Sequence, residues 1–254
     1  MSTLTRDGVS LFYEVAGPDT GEPPLLLTHG YGASARMWEA NVPALSTARQ
    51  VITWDQRGHG RSDSPPSQEA YSEAEFVEDM AALVRHEGAP DAIVGGLSIG
   101  GYLSLAFHLA YPEMVAALIL CDTGPGYKRA EPREDWNRMA IRRAEAFEAL
   151  GLQALGPATE VAGAGHRDAA GLAMAARGVL VQHDARVIES LPSISVPTLV
   201  VVGSKDTPFL TAADYLEAKI PGARKVVLDG AGHAANIDRT DEFNHAVIEF
   251  LEDL

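Results

Sequence analysis

Compact apolar runs separated by longer amphipathic stretches set the rhythm of the chain. Val9 to Val15 alternates loosely and predicts one strand of a leading hairpin. Leu25 to Thr28, Val51 to Trp54, Ala92 to Gly95 and Ala117 to Leu120 are short apolar runs that end in turn residues. Thr198 to Val202 and Lys225 to Leu228 continue the series. Runs of this kind suit strands covered on both faces, as in a parallel sheet. Between them the period changes to that of helices. Ser72-Glu73-Ala74-Glu75 predicts a capping-box start, after which Phe76, Val77, Met80, Leu83 and Val84 share one face. Ile99 to Tyr111 is apolar almost all round, as a helix pressed against a sheet requires. Phe243, Val247, Phe250 and Leu251 form a stripe near the C-terminus. Alternating strand and helix signals predict a doubly wound α/β architecture.

One stretch breaks this rhythm. From about Gly124 to Leu191 strand signals stop, and Ala, Arg, Glu and Gly dominate. Glu134 to Leu150 predicts a helix with Trp136, Met139, Ile141 and Phe147 available for burial, and Pro192 and Pro197 mark the return to the sheet. The expected organisation is a core of residues 1–123 and 192–254, with residues 124–191 as a helical insertion.

Composition narrows the function classes. A chain of 254 residues, 46% apolar and 22% charged, can bury about three-quarters of its unfolded surface in a core. The formal charge of −15 argues against nucleic acid as a partner, since phosphate binding needs clustered Lys and Arg. The single cysteine, Cys121, excludes an internal disulfide and any Cys-rich zinc site, and its apolar run predicts a buried hydrophobe. The N-terminus lacks a basic start followed by an apolar stretch, and no apolar stretch approaches membrane-spanning length. A cytoplasmic protein without membrane association is expected; its oligomeric state is not encoded in any recognisable pattern.

The strongest chemical signal is Gly96-Leu97-Ser98-Ile99-Gly100, followed by Gly101. It follows a predicted strand and opens a predicted helix, the setting a G-x-S-x-G nucleophile elbow requires. The turn is tight, and side chains at the glycines would strike neighbouring backbone. A serine hydroxyl is a poor nucleophile at neutral pH and needs a base, itself oriented by a third group. Asp206 and His233 each lie just past a predicted strand, and the order Ser98, Asp206, His233 fits this motif. Asp122 also follows a strand and is the rival for the acid. The Gly203-Ser204-Lys205-Asp206-Thr207-Pro208 turn is the more specific context and favours Asp206. Acyl transfer also needs amides at the oxyanion, expected from Ile99 and from Tyr31 in the His29-Gly30-Tyr31-Gly32 loop, with the His29 side chain bracing that loop.

The remaining histidines are read as structural. His86, His108 and His245 fall in helical patterns, His59 in a turn-rich stretch, and His166 and His183 in the insertion. No histidine pair has zinc-ligand spacing with an intervening Glu, so no metal is expected, nor any cofactor.

Together these residues resemble the α/β-hydrolase superfamily. His29-Gly30-Tyr31-Gly32 is similar to its oxyanion loop, Asp55 to Ser62 to its Asp-x-Arg-Gly-x-Gly-x-Ser turn, and Gly232-His233 with Asn236 and Phe243 to its C-terminal signature. The resemblance implies that residues 124–191 form a helical cap over the site. Trp136, Phe147 and Met174 are then the candidates for the substrate pocket. Within the superfamily, Gly96 to Gly101, Leu118 to Thr123, Trp136-Asn137-Arg138 and Gly232 to Ile237 resemble 3-oxoadipate enol-lactonases and small esterases. The chain departs from those lactonases at its His-Gly-Tyr-Gly loop, where they carry Asn-Ser-Leu-Gly, and at Ile99, where they carry Met.

The expected function is hydrolysis of a small-molecule ester or lactone through a Ser98 acyl-enzyme. Alternatives on the same fold are a haloperoxidase-like perhydrolase, a carbon–carbon bond hydrolase and a non-catalytic ligand receptor. Epoxide hydrolases and dehalogenases of this fold carry Asp at the position of Ser98 and are disfavoured.

Overall fold

A computed structural model describes residues 2–254. Among the described residues eight strands form one sheet: β1 (Ser2–Arg6), β2 (Val9–Ala16), β3 (Leu25–Thr28), β4 (Val51–Trp54), β5 (Ala92–Leu97), β6 (Val115–Cys121), β7 (Thr198–Gly203) and β8 (Arg224–Leu228). Their order is β1-β2-β4-β3-β5-β6-β7-β8. The leading hairpin joins antiparallel, and every pair from β4 to β8 is parallel. The helices are α1 (Val42–Leu45), α2 (Glu73–His86), α3 (Ile99–Ala110), α4 (Ala130–Leu150), α5 (Ala170–Arg177), α6 (Arg186–Ser190), α7 (Thr207–Lys219), α8 (Ala235–Asp238) and α9 (Thr240–Glu252).

The central strands bury both faces because successive side chains point to opposite sides. Leu26, Ile52, Val94, Leu118, Leu120 and Val200 join one core with Phe76 and Met80 of α2 and Leu103 and Phe107 of α3. Their neighbours Leu25, Leu27, Val51, Ile93, Ile119 and Val201 join the other, with Trp38 and with Phe243, Val247 and Phe250 of α9. A continuous apolar run thus feeds two layers at once.

Local signals hold with instructive exceptions. Helix α2 begins after Ser72 as expected, but the Ser72 side chain makes no capping bond. Its carbonyl takes the Glu75 N–H at 3.0 Å, while the Glu75 carboxylate turns to Arg6 and Arg57. The buried Arg57 guanidinium also makes paired bonds of 2.7 Å to Asp79, so Glu75 joins a long-range ion cluster instead of the local box. Helix α4 starts four residues before Glu134, because Pro132 in its first turn lacks only an amide hydrogen that would have no helical partner there.

Strand register aligns the functional loops. Thr28 pairs with Gly96, Leu97 with Cys121, Cys121 with Val201, and Gly203 with Leu228. The residues after β3, β5, β6, β7 and β8 therefore emerge side by side along the C-terminal edge of the sheet, where open α/β sheets place their ligands. Between β6 and β7 the chain is helical and irregular, and its Ala140, Phe147, Leu172 and Leu180 pack into the α2/α3 side of the core.

Candidate active site

At the end of β5 the backbone turns sharply into α3. Ser98 sits at the corner with φ 56° and ψ −118°, a conformation that L-residues adopt only when surroundings enforce it. Its amide donates to the Cys121 carbonyl at 2.9 Å. Its own carbonyl accepts the Tyr102 amide at 3.1 Å and the Thr123 hydroxyl at 2.5 Å. Gly96 allows the close approach beneath: a Cβ there would lie 2.6 Å from the Thr28 oxygen. Helix α3 starts at Ile99, so its positive end adjoins Ser98.

Asp206 and His233 come together across 27 residues. His233 Nδ1 donates to Asp206 Oδ2 at 2.7 Å, which fixes the tautomer that leaves Nε2 free of its proton. Burial works against charge on His233, but the bond and charge of Asp206, helped by Asp122, outweigh it and raise its pKa above 6.5. Phe209 of α7 stacks on the imidazole with ring centroids 4.9 Å apart. No hydrogen bond joins Ser98 Oγ to His233 among the described residues, as is common in sites of this kind before substrate tightens them.

Asp122 lies beside this pair but is turned to backbone. Its Oδ1 takes the Gly203 amide at 2.8 Å, and Oδ2 takes the Ala235 amide at 3.2 Å and the Cys121 thiol at 3.3 Å. It too has positive φ, 42°, and burial pushes its pKa up to about 7. The rival acid thus ties three loop roots together rather than orienting the imidazole. Cys121 is fully buried, and burial raises its thiol pKa, which makes it a packing residue.

The loop after β3 faces the elbow from the other side. A Cβ on Gly30 would stand 3.7 Å from that of Ser98. The backbone amides of Tyr31 and Ile99 have no acceptor among the described residues, so both are available to an oxyanion. The loop is braced as expected: His29 Nε2 takes the Gln56 amide at 3.0 Å, and its Nδ1 donates to the Gly30 carbonyl at 2.7 Å. Burial pushes the His29 pKa down to about 4, which keeps the ring neutral. Asp55 supports the neighbouring turn by accepting the Ala35 amide at 2.7 Å and the Arg61 amide at 2.8 Å.

Residues 23–169 match the family model described as alpha/beta hydrolase fold. The chain belongs to the α/β-hydrolase family. It is 27% identical to 3-oxoadipate enol-lactonase 1 of Acinetobacter baylyi over 98% of its own length and 96% of that protein. Among solved structures it is similar to a thermophilic esterase from Thermogutta terrifontis, with 28% identity, a TM-score of 0.81 and coverage of 99% and 96%. A hydrolase from Pseudomonas aeruginosa matches with 30% identity, a TM-score of 0.78 and coverage of 98% and 97%.

In this α/β-hydrolase a cavity of about 370 Å³ opens onto Ser98 and Ile99, within the range of small-molecule sites. Its walls come from the loop after β6, from α4 and the segment before α6, and from α7. Trp136 lines it, with its indole N–H donated to the Leu180 carbonyl at 2.7 Å. Phe147 and Met174 do not. Phe147 is fully buried edge-on against the Tyr31 ring, and Met174 packs against the same core cluster. Residues that sequence reasoning missed also border the cavity, notably Tyr102, Phe209 and Gln182. His166 proves more specific than its position suggested. Its Nδ1 accepts the Gly60 amide at 2.9 Å and its Nε2 donates to the Gly32 carbonyl at 2.7 Å, pinning the segment between β6 and β7 to the loops after β4 and β3.

Proposed function

We propose that this protein hydrolyses a carboxylic ester or lactone through an acyl-enzyme on Ser98. The carrying observation is the 2.7 Å bond from His233 to Asp206, which leaves Nε2 as a base on the same sheet edge as the strained serine. His233 takes the hydroxyl proton as Ser98 Oγ bonds to the substrate carbonyl carbon, and the amides of Tyr31 and Ile99 receive the oxyanion. The carbon–oxygen bond to the leaving group then breaks, and His233 returns its proton to that oxygen. Water repeats the cycle and releases the acid. Residues 124–191 act as a cap on a core of residues 1–123 and 192–254, and the cap's Trp136 shapes the acyl or alcohol pocket. Relatives named as an esterase and an enol-lactonase support ester chemistry.

Covalent labelling by a fluorophosphonate tests the reading. Label on the unaltered protein and none on Ser98→Ala is expected, together with turnover of short acyl or lactone substrates. A protein that resists label and hydrolyses no ester or lactone would overturn it. Running peroxide-dependent oxidation and vinylogous diketones in the same panel separates perhydrolase and carbon–carbon cleavage from ester hydrolysis.

A further inference from the structure

The cavity wall beside Trp136 carries one group that its own chain does not satisfy. Gln182 lines the cavity, is 8% exposed, and has a buried Oε1 with no hydrogen-bond partner among the described residues. It is the only such side chain among the lining residues. Its backbone is clamped at two points: its amide donates to Asn137 Oδ1 at 2.8 Å, and its carbonyl accepts Asn137 Nδ2 at 2.9 Å. Space for the side-chain amide depends on Gly126, with φ 88°, where a Cβ would lie 2.8 Å from Oε1. The chain thus fixes the Gln182 backbone at a largely apolar wall and leaves the side-chain Oε1 unpaired. Turning the amide exchanges its carbonyl and NH₂ ends, so it can donate to or accept from a bound group. No lysine, arginine, aspartate or glutamate lines the cavity among the described residues. A free carboxylate entering it would lose water without gaining a cation. The formal charge of −15 also disfavours approach of an anion.

We propose that Gln182 selects a neutral ester or lactone whose buried portion carries an uncharged hydrogen-bonding oxygen, a ketone or a hydroxyl, and that the cavity rejects a second carboxylate. Asn137 is its positioning residue. This rests on the acyl-enzyme reading for the bond that is cleaved, but the recognition step can be read without catalysis.

Dissociation constants on Ser98→Ala, by titration calorimetry, compare methyl hexanoate, methyl 5-oxohexanoate and monomethyl adipate. The oxo ester should bind roughly three- to tenfold more tightly than the hexanoate. The half-acid should bind more weakly by on the order of 100-fold. Adding Gln182→Met should collapse the oxo preference to about onefold, and adding Gln182→Arg should raise the half-acid's affinity relative to hexanoate by about tenfold. The proposal is overturned by a half-acid that binds Ser98→Ala as tightly as hexanoate, or by an oxo preference that survives Gln182→Met. Fluorophosphonate labelling of the unaltered protein reports separately on Ser98, so loss of selectivity and loss of the acyl-enzyme reading are distinguished.

Discussion

His233 Nδ1 donates to Asp206 Oδ2 at 2.7 Å, whereas both carboxylate oxygens of the neighbouring Asp122 are engaged by backbone amides. Two aspartates end adjacent strands, and only one holds the imidazole. Replacing each by Asn separates orientation of the base from support of the loops. Asp206→Asn should lower kcat by on the order of 10³–10⁴-fold, because an amide can stabilise the wrong tautomer and cannot balance the imidazolium. Asp122→Asn should retain far more turnover. Steady-state kinetics on a common ester decide the matter, and the reverse ranking would transfer the acid role to Asp122.

The pH profile follows from the same pair. His233 must be neutral to accept a proton, and its partners raise its pKa above 6.5. The acid limb of kcat/KM should therefore bend above pH 6.5, with activity falling as pH drops through it. Asp206→Asn removes the first of the groups that favour charge and should move the limb to lower pH. A limb that stays in place would detach it from His233.

Asp122 makes a separate prediction about stability. Its pKa is about 7 in the fold, against an ordinary 3.8, so between these values the folded state holds a proton that the unfolded state has released. Bound protons in excess on the folded side mean that stability falls as pH rises through this window. Asp122→Asn, which cannot ionise, should flatten that part of the denaturation midpoint against pH. An unchanged slope in urea unfolding from pH 4 to 7 would contradict the protonated, buried state.

His166 links residues 124–191 to the loops that carry Gly32 and Gly60. Burial holds its pKa below the ordinary value, consistent with a neutral ring that accepts at Nδ1 and donates at Nε2. His166→Ala should free both of those loops and raise KM several-fold while exposing residues 124–191 to protease. Limited proteolysis, with fragments mapped to residues 124–191, checks this; an unaltered cleavage pattern would reduce His166 to a local contact.

Much of the candidate site was legible because it depends on short-range geometry. The Gly96-to-Gly101 turn is demanded by a backbone corner within a few residues, and the aspartate and histidine each follow an apolar run whose end is visible in the chain. The capping box at Ser72 misled because Glu75 is claimed by Arg6 and Arg57, which lie far away in sequence. Phe147 and Met174 were drawn toward the pocket by type and position, yet Phe147 packs edge-on against Tyr31 and Met174 against the core cluster. Gln182 and His166 gave no periodic signal, since a polar residue in an irregular segment looks the same whether it faces solvent or a cavity.

The sequence alone determined that the chain is an α/β protein with strand ends poised for Ser98, Asp206 and His233, since period, glycine spacing and order are local properties. Only the tertiary structure decided which aspartate meets His233, because β6 and β7 lie side by side and both bring an aspartate to the same edge, where Asp206 meets the imidazole and Asp122 meets backbone amides. It alone also decided that Trp136 and Gln182, rather than Phe147 and Met174, border the cavity. The orientation of the helices between β6 and β7 depends on contacts between distant segments, and no local pattern encodes it.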